Sequence, residues 1–214
     1  LVGVDAIAEP GERLLELTGG DERNLWQPVR AQIPLLAASY PTQTIQVDDS
    51  LSPLLDPAVR AAEDELLGTM FAVFEEPGRW EGVFQFPVTT TVVSAGYGGL
   101  RSYNGGPLEV YHTGTDFAAS QGDIVSAPAA GTVVFSGETQ LRGNVVIIDH
   151  GLGVMSGLYH LEESFVETGQ TVSLGQQVGR VGSTGLSSGP HLHWDLRVMG
   201  VPVDPLPWTQ QAFP

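Results

Sequence analysis

Apolar residues recur along this chain with two different periods, and the change between them divides it. Between residues 57 and 75 the apolar positions Val59, Leu66, Leu67, Met70, Phe71 and Phe74 fall at helical spacing. Asp56 is a candidate N-cap, Pro57 suits the first helical position, and Pro77-Gly78 stops the run. The spacing therefore predicts one helix over 57–75, with its acidic residues on a solvated outer face. Before it, short β-prone runs alternate with turn residues. Residues 6–8 lead into Glu9-Pro10-Gly11 and residues 14–18 into Gly19-Gly20-Asp21, a pattern that reads as a hairpin; 29–33 and 44–47 are further strand candidates.

From Gly82 onward the pattern is strand, turn, strand, with many glycines. Residues 124–125, 131–135, 144–149, 157–161, 177–181 and 191–198 read as strands. Gly122-Asp123-Ile124-Val125 followed by Gly131-Thr132-Val133 is echoed by Gly169-Gln170-Thr171-Val172 followed by Gly175 and Val178-Gly179. Two related hairpin units wrapping into an antiparallel barrel or sandwich would produce this echo. The expected fold class is mainly β: a partial small β domain over 1–54, a connecting helix and linker over 55–81, and a catalytic domain over 82–214.

The 214 residues carry a formal charge of −16, and all nine basic residues are arginine. Such a surface repels phosphate backbones, and no basic patch offsets it, so nucleic-acid binding is excluded as a function class. The absence of cysteine removes disulfides, thiolate ligands and a cysteine nucleophile. No charge-free apolar run approaches the length of about 18 residues that spans a bilayer. The chain begins at Leu1 without a basic leader, which reads as a mature or trimmed fragment.

The five histidines, His112, His150, His160, His191 and His193, all lie in the second half. In a strand, His191 and His193 project from one face while Leu192 turns to the core, so both could ligate one metal, or one could ligate while the other handles protons. A carbonic-anhydrase-like site would need a histidine after His193, and a cupin a glutamate soon after the pair with a later histidine; neither is present. Further ligands must come from upstream, where His112 and Asp116, brought together by a tight loop at Gly114, are the natural candidates. Two imidazoles and a carboxylate with a fourth position open is the arrangement of a catalytic zinc site rather than a closed structural one. His150, at a strand end before a Gly-x-Gly turn, reads as structural. His160, between apolar neighbours, reads by itself as a core residue.

Three motifs, His112-Thr113-Gly114-Thr115-Asp116, Tyr159-His160-Leu161 and Ser187-Ser188-Gly189-Pro190-His191-Leu192-His193, together resemble the lysostaphin-like or LytM-type zinc endopeptidases of the M23 class. The resemblance runs over about residues 84–208 and includes Asp116-Phe117-Ala118-Ala119 and Pro202-Val203-Asp204-Pro205. It implies that His112, Asp116 and His193 ligate Zn2+ and that His160 and His191 are catalytic imidazoles, which overrides the core reading of His160. It also implies an antiparallel β fold with a groove across the sheet and a peptide substrate from bacterial peptidoglycan, in the stem or the cross-bridge. In the mechanism so implied, zinc lowers the pKa of a water toward about 7. His191 takes the proton, while His160 stabilises the oxyanion or protonates the leaving amine, and the sequence leaves the two roles exchangeable. Asp195 or backbone carbonyls are the partners expected behind the ligand imidazoles. Trp194-Asp195 stands where many relatives carry Phe-Glu, a departure that touches those supporting contacts rather than the ligands.

The resemblance further implies an extracytoplasmic bacterial location, periplasmic, envelope-bound or secreted, and an additional upstream domain or regulatory cell-wall protein as partner. Sequence leaves the oligomeric state open. A biotinyl or lipoyl carrier shares the glycine-punctuated hairpins but needs an attachment lysine, and the chain has none. A catalytically weak, wall-binding regulator of another hydrolase would typically have lost ligands, whereas all five positions are filled.

Overall fold

The computed structural model describes residues 1–20 and 27–213. Its strands in chain order are β1 (Gly11–Leu17), β2 (Val29–Leu35), β3 (Thr42–Ile45), β4 (Val93–Ala95), β5 (Leu100–Tyr103), β6 (Val110–Tyr111), β7 (Gly114–Phe117) and β8 (Ile124–Ser126). There follow β9 (Gly131–Thr139), β10 (Gly143–Asp149), β11 (Val154–Ser164), β12 (Thr171–Val172), β13 (Gln177–Val181), β14 (Leu192–Val198) and β15 (Val201–Val203). Helix α1 (Pro57–Phe71) lies between β3 and β4. The architecture is mainly β, as expected. Among the described residues no helix is long and apolar enough to cross a membrane.

Ten strands form the main sheet, in the order β12-β9-β10-β11-β14-β7-β4, with β13 joining β11 to β8 and β15 edging β14. The path is open at both ends, so the sheet curls without closing, and the barrel alternative drops out. The sequence echo has a simple counterpart here. Strand β12 of the second unit pairs with β9 of the first, and β13 pairs with β8. Each unit thus completes the other, which is why neither glycine-rich hairpin can be read as independent.

Strand β10 is a continuous apolar run because both faces of the sheet are covered. Val146 and Ile148 point into a core with Phe84, Phe117, Trp194 and Trp208. Their neighbours Val145 and Ile147 point the other way, where Leu67 and Phe71 of α1 pack with Met155 and Tyr159. Burying those two α1 side chains fully contributes about 1.5–3 kcal/mol each. The helix therefore belongs to the sheet's outer layer rather than standing apart as a tether.

Helix α1 starts where the sequence indicates, with Asp56 accepting the N–H of Ala58 at 2.8 Å and Pro57 in the first turn. It stops at Phe71, four residues before the expected end at Glu75. The backbone of the following residues is captured by the β10–β11 turn instead. Glu75 O accepts from Leu152 N at 2.7 Å and Arg79 N donates to His150 O at 2.7 Å, while Arg79 bonds Asp149 at 2.8 Å.

The N-terminal residues depart further from expectation. Strand β1 pairs with β2, Gly11 opposite Leu35 and Leu17 opposite Val29, and not with residues 6–8. Asp21, part of the expected turn, lies outside the described residues. Strand β3 runs parallel to β5, with Thr42 opposite Leu100 and Ile45 opposite Tyr103, and β5 in turn pairs with β6. This small sheet crosses the boundaries read at 54 and 82, and it forms one side of the groove described next.

Candidate metal centre

Register across three strands assembles the centre. Tyr159 of β11 lies opposite His193 of β14, and His193 lies opposite Asp116 of β7, so the three side chains form a row on one face. Asp116 is thus a strand residue, not the loop residue expected; only His112 and Thr113 bridge β6 to β7. The motif's Gly114 permits this pairing. A Cβ there would lie 2.3 Å from Trp194 O and 2.8 Å from His193 Nε2, so only glycine lets the strands approach.

His112 Nε2, Asp116 Oδ1 and His193 Nδ1 converge, at 3.0 Å from His112 to Asp116, 2.8 Å from His193 to Asp116, and 2.9 Å between the two nitrogens. His112 donates its Nδ1 proton to Gly96 O at 2.8 Å, which leaves a lone pair on Nε2. Two imidazole nitrogens and a carboxylate oxygen within 3.0 Å of one another form a donor set that one divalent cation would satisfy together. The other nitrogen of His193, Nε2, is buried without a partner among the described residues. The set therefore fits a zinc ion by donor type and by convergence.

The surroundings hold these donors in place. Arg101 of β5 bonds Asp116 Oδ2 and leaves Oδ1 for the centre. Burial pushes the Asp116 carboxyl up, but the adjacent His112 and His193 imidazoles outweigh it and hold the group well below the usual carboxylate range. Burial lowers His193 to about 4. Its ring stacks on Tyr159, centroids 5.1 Å apart and planes 6° from parallel. Of the two partners expected behind the imidazoles of His112 and His193, Asp195 is not in contact with either ring, and a backbone carbonyl is. Asp195 accepts from Tyr159 Oη at 3.0 Å and from Arg197 Nη2 at 3.0 Å, and so supports His193 only through the Tyr159 ring. The Gly96 carbonyl fills the supporting role behind His112. Arg101, Gly96 and Tyr159 were not identified from sequence as contributors: Tyr159 stood in a motif without a role, and the other two carried no signal of spacing or composition.

The remaining two imidazoles sit at the open side. His191 Nδ1 donates to Gly189 O at 2.8 Å and His160 Nδ1 to Thr184 O at 2.8 Å, so each presents an unprotonated Nε2. His191 Nε2 lies 3.9 Å from Asp116 Oδ1, and the two rings are 4.8 Å apart. His160 owes its orientation to a bulge. The β10–β11 register shifts between Asn144 and Val146, and His160 adopts φ +61°. In a regular strand Tyr159 and His160 would face opposite sides; the bulge brings both to the groove, at a backbone cost of about 1–3 kcal/mol. Burial, with His191 and His193 nearby, pushes His160 down to about 3. A groove of about 690 Å³ is lined by all five site residues, His112, Asp116, His160, His191 and His193, and its walls also include Arg60, Asp64 and Leu186 to Pro190; His150 lies outside it.

His150 is elsewhere and structural. Trp194 Nε1 donates to Ser156 Oγ at 3.1 Å, so the Ser156 proton goes to His150 Nε2 at 2.9 Å, and His150 Nδ1 donates to Ala130 O at 2.8 Å. Every proton in this chain is assigned by its donor, and the imidazole is neutral. Burial lowers it to about 4.

Comparison with known proteins agrees with this geometry. Residues 110–205 match the model of peptidase family M23. The chain is 45% identical over 95 residues to the DD-carboxypeptidase/endopeptidase Mpg of Neisseria meningitidis, covering 44% of this chain and 22% of that protein. It is 44% identical over 93 residues to the peptidoglycan DD-endopeptidase ShyA of Vibrio cholerae, again covering 44% and 22%. The chain spans about a fifth of the length of these curated relatives. Among solved structures, a Pseudomonas aeruginosa protein described under peptidase M23 superposes over 99% of this chain and 78% of its own, with TM-score 0.73 and 24% identity, a likeness of fold. A zinc-containing peptidase from Vibrio cholerae covers 58% and 39%, with TM-score 0.53 and 30% identity. With motif residues that converge in space, an antiparallel sheet that carries them and a match over the same segment, the chain contains, across residues 110–205, a domain of peptidase family M23, a family of zinc metallopeptidases.

Proposed function

We propose that this chain is a zinc endopeptidase that hydrolyses peptide bonds of bacterial peptidoglycan, in the stem peptide or the cross-bridge. The observation that carries the reading is the convergence of His112 Nε2, Asp116 Oδ1 and His193 Nδ1 on one point that opens onto a groove, with two further imidazoles at its rim. The relatives named as peptidoglycan DD-endopeptidases support the substrate class, and bonds between D-residues are the first to test.

His112, Asp116 and His193 would hold the ion. Zinc in such a set supplies Lewis acidity and lowers the pKa of water toward about 7. Arg101 keeps the Asp116 carboxylate turned so that one oxygen faces the centre. His191 is the base: its Nε2 is free, its proton is fixed on Nδ1 by Gly189 O, and it stands beside the ligand set. His160, its ring 4.8 Å from that of His191, serves the developing oxyanion or the departing amine. Residues 82–214 carry the chemistry, and Asp5, Gln43, Ile45, Arg60 and Asp64 of the preceding segment add to the groove wall. The substrate assigns the site of action to the bacterial cell envelope. The regulatory alternative is not favoured, because no ligand is missing and the imidazoles at the rim are free to act.

The test is mass spectrometry of muropeptides after incubating purified cell walls with metal-loaded protein, with and without chelator. New stem or bridge fragments that vanish with chelator are expected. Their absence from every wall tried, pre-trimmed peptides included, would overturn the hydrolase reading. Among variants, His193→Ala is expected to lose metal and activity together, and His191→Ala to keep metal while losing most turnover. Equal metal loss in both would refute the division of roles.

A further inference from the structure

One buried carboxylate connects helix α1 to the site. Glu63 is only 6% exposed, and it faces the turn between β9 and β10, which carries Arg142. Its Oε2 accepts from Leu141 N at 2.7 Å, and its Oε1 accepts from Arg142 N at 3.1 Å and from Arg142 Nη1 at 2.8 Å. The neighbouring Asp64 accepts from Arg142 Nη2 at 2.6 Å. Both the backbone and the side chain of Arg142 are thereby tied to α1.

Arg142 touches the site in two ways. Its carbonyl accepts the N–H of His160 at 2.8 Å. Its guanidinium lies 5.5 Å over the ring of Tyr159, whose opposite duty is to stack on His193. His160 stands at positive φ inside a bulge, a conformation that persists only where the surroundings over-determine it. Among the described residues, its N–H is held by Arg142 O and its Nδ1 by Thr184 O. Loosening the anchor of residue 142 weakens the hold on the His160 backbone, while its imidazole keeps the bond to the Thr184 loop.

Burying a carboxylate is unfavourable, and where the charge serves only packing an apolar residue does as well or better. A charged group whose oxygens take up two successive backbone amides of one turn does something an apolar residue cannot: it fixes the path of that turn. We propose that Glu63 is a positioning residue for the site, acting through Leu141 and Arg142 to set the backbone of His160 and the cover over Tyr159. Helix α1, which lies outside the segment matched to the family, is then a working part of the peptidase. The role in catalysis rests on the hydrolase reading above; the role in holding His160 does not.

The experiment uses the full chain carrying Glu63→Gln, which preserves side-chain shape and one acceptor, with Glu65→Gln on the exposed side of α1 as control. Amide hydrogen exchange, read residue by residue in metal-free and zinc-loaded protein, should show His160 and Arg142 exchanging about tenfold faster in Glu63→Gln while the amides of β14 keep wild-type rates. On a peptidoglycan peptide, kcat should fall about 10- to 100-fold with KM and zinc content unchanged. Should Glu63→Gln not fold, Asp64→Asn releases only the exposed arm of Arg142 and should show the same pattern at reduced amplitude. Unchanged exchange at His160, or faster exchange spread equally over β14, would overturn the proposal. A wild-type protein that exchanges as expected but cleaves nothing would count against the hydrolase reading alone.

Discussion

Replacing Gly114 by alanine tests the link between strand approach and metal affinity. The added methyl would lie 2.3 Å from Trp194 O and 2.9 Å from the Trp194 carbonyl carbon, both backbone atoms of the partner strand. Comfortable contact needs about 3.5 Å, so β7 must part from β14 by about 1 Å at this point. Asp116, two residues on, and His193, its partner across the ladder, have donor atoms only 2.8 Å apart, and zinc bonds tolerate displacements of about 0.2 Å. Overpacking of this kind costs about 1–3 kcal/mol of stability, or a melting temperature lower by roughly 5 °C in a chain this size. A site displaced beyond its tolerance should bind zinc about 10- to 100-fold more weakly. Competition against a chromophoric chelator measures the affinity, and calorimetry with and without metal measures the stability. Wild-type zinc affinity in a folded Gly114→Ala protein would refute the argument that the glycine is required by the closeness of the two strands.

Three further outcomes follow from the same contacts. Gly68 lies on the exposed side of α1 with nothing within 4 Å of an added Cβ, so Gly68→Ala should stabilise the fold by about 0.5–1 kcal/mol in denaturant titration; a loss would mean the helix is strained there. His150, held neutral by burial, titrates at about 4 when folded against 6.5 in the unfolded chain. Its contribution is complete above pH 6.5 and is lost as pH falls toward 4, where the unfolded state takes up the proton first, a swing of about 3 kcal/mol. An NMR titration that found the folded His150 protonating near 6.5 would sink this. Tyr159→Phe removes the hydroxyl that reaches the buried Asp195 and should cost about 1–3 kcal/mol with zinc still bound, since the stacking ring remains; full metal loss would show that the hydroxyl, not the ring, supports His193.

The site was legible in the sequence to the extent that it is local. His191 and His193 share a face because strand side chains alternate, and Leu192 between them is wholly buried. The His112 to Asp116 spacing and the ordered motifs identified the ligand candidates through the family resemblance. The helix start at Asp56-Pro57 and strand 177–181 could likewise be read directly, because caps and alternation act over a few residues.

What alternation could not supply was decided by contacts distant in sequence. His160, between apolar neighbours, looks like core until the bulge opposite Val145 turns it to the groove. Asp116 became a strand residue because β14 arrived beside it, and α1 ended early because the β10–β11 turn captured the backbone after it. Arg101 and Glu63 lie in ordinary segments, and each gains its role from one partner, Asp116 or the 141–142 turn, in another part of the chain. Local preferences determined which residues could serve, since side-chain chemistry and short-range spacing are properties of the sequence alone. Strand register, the bulge and the helix docking decided which of them meet, because those depend on free energy shared among segments tens of residues apart.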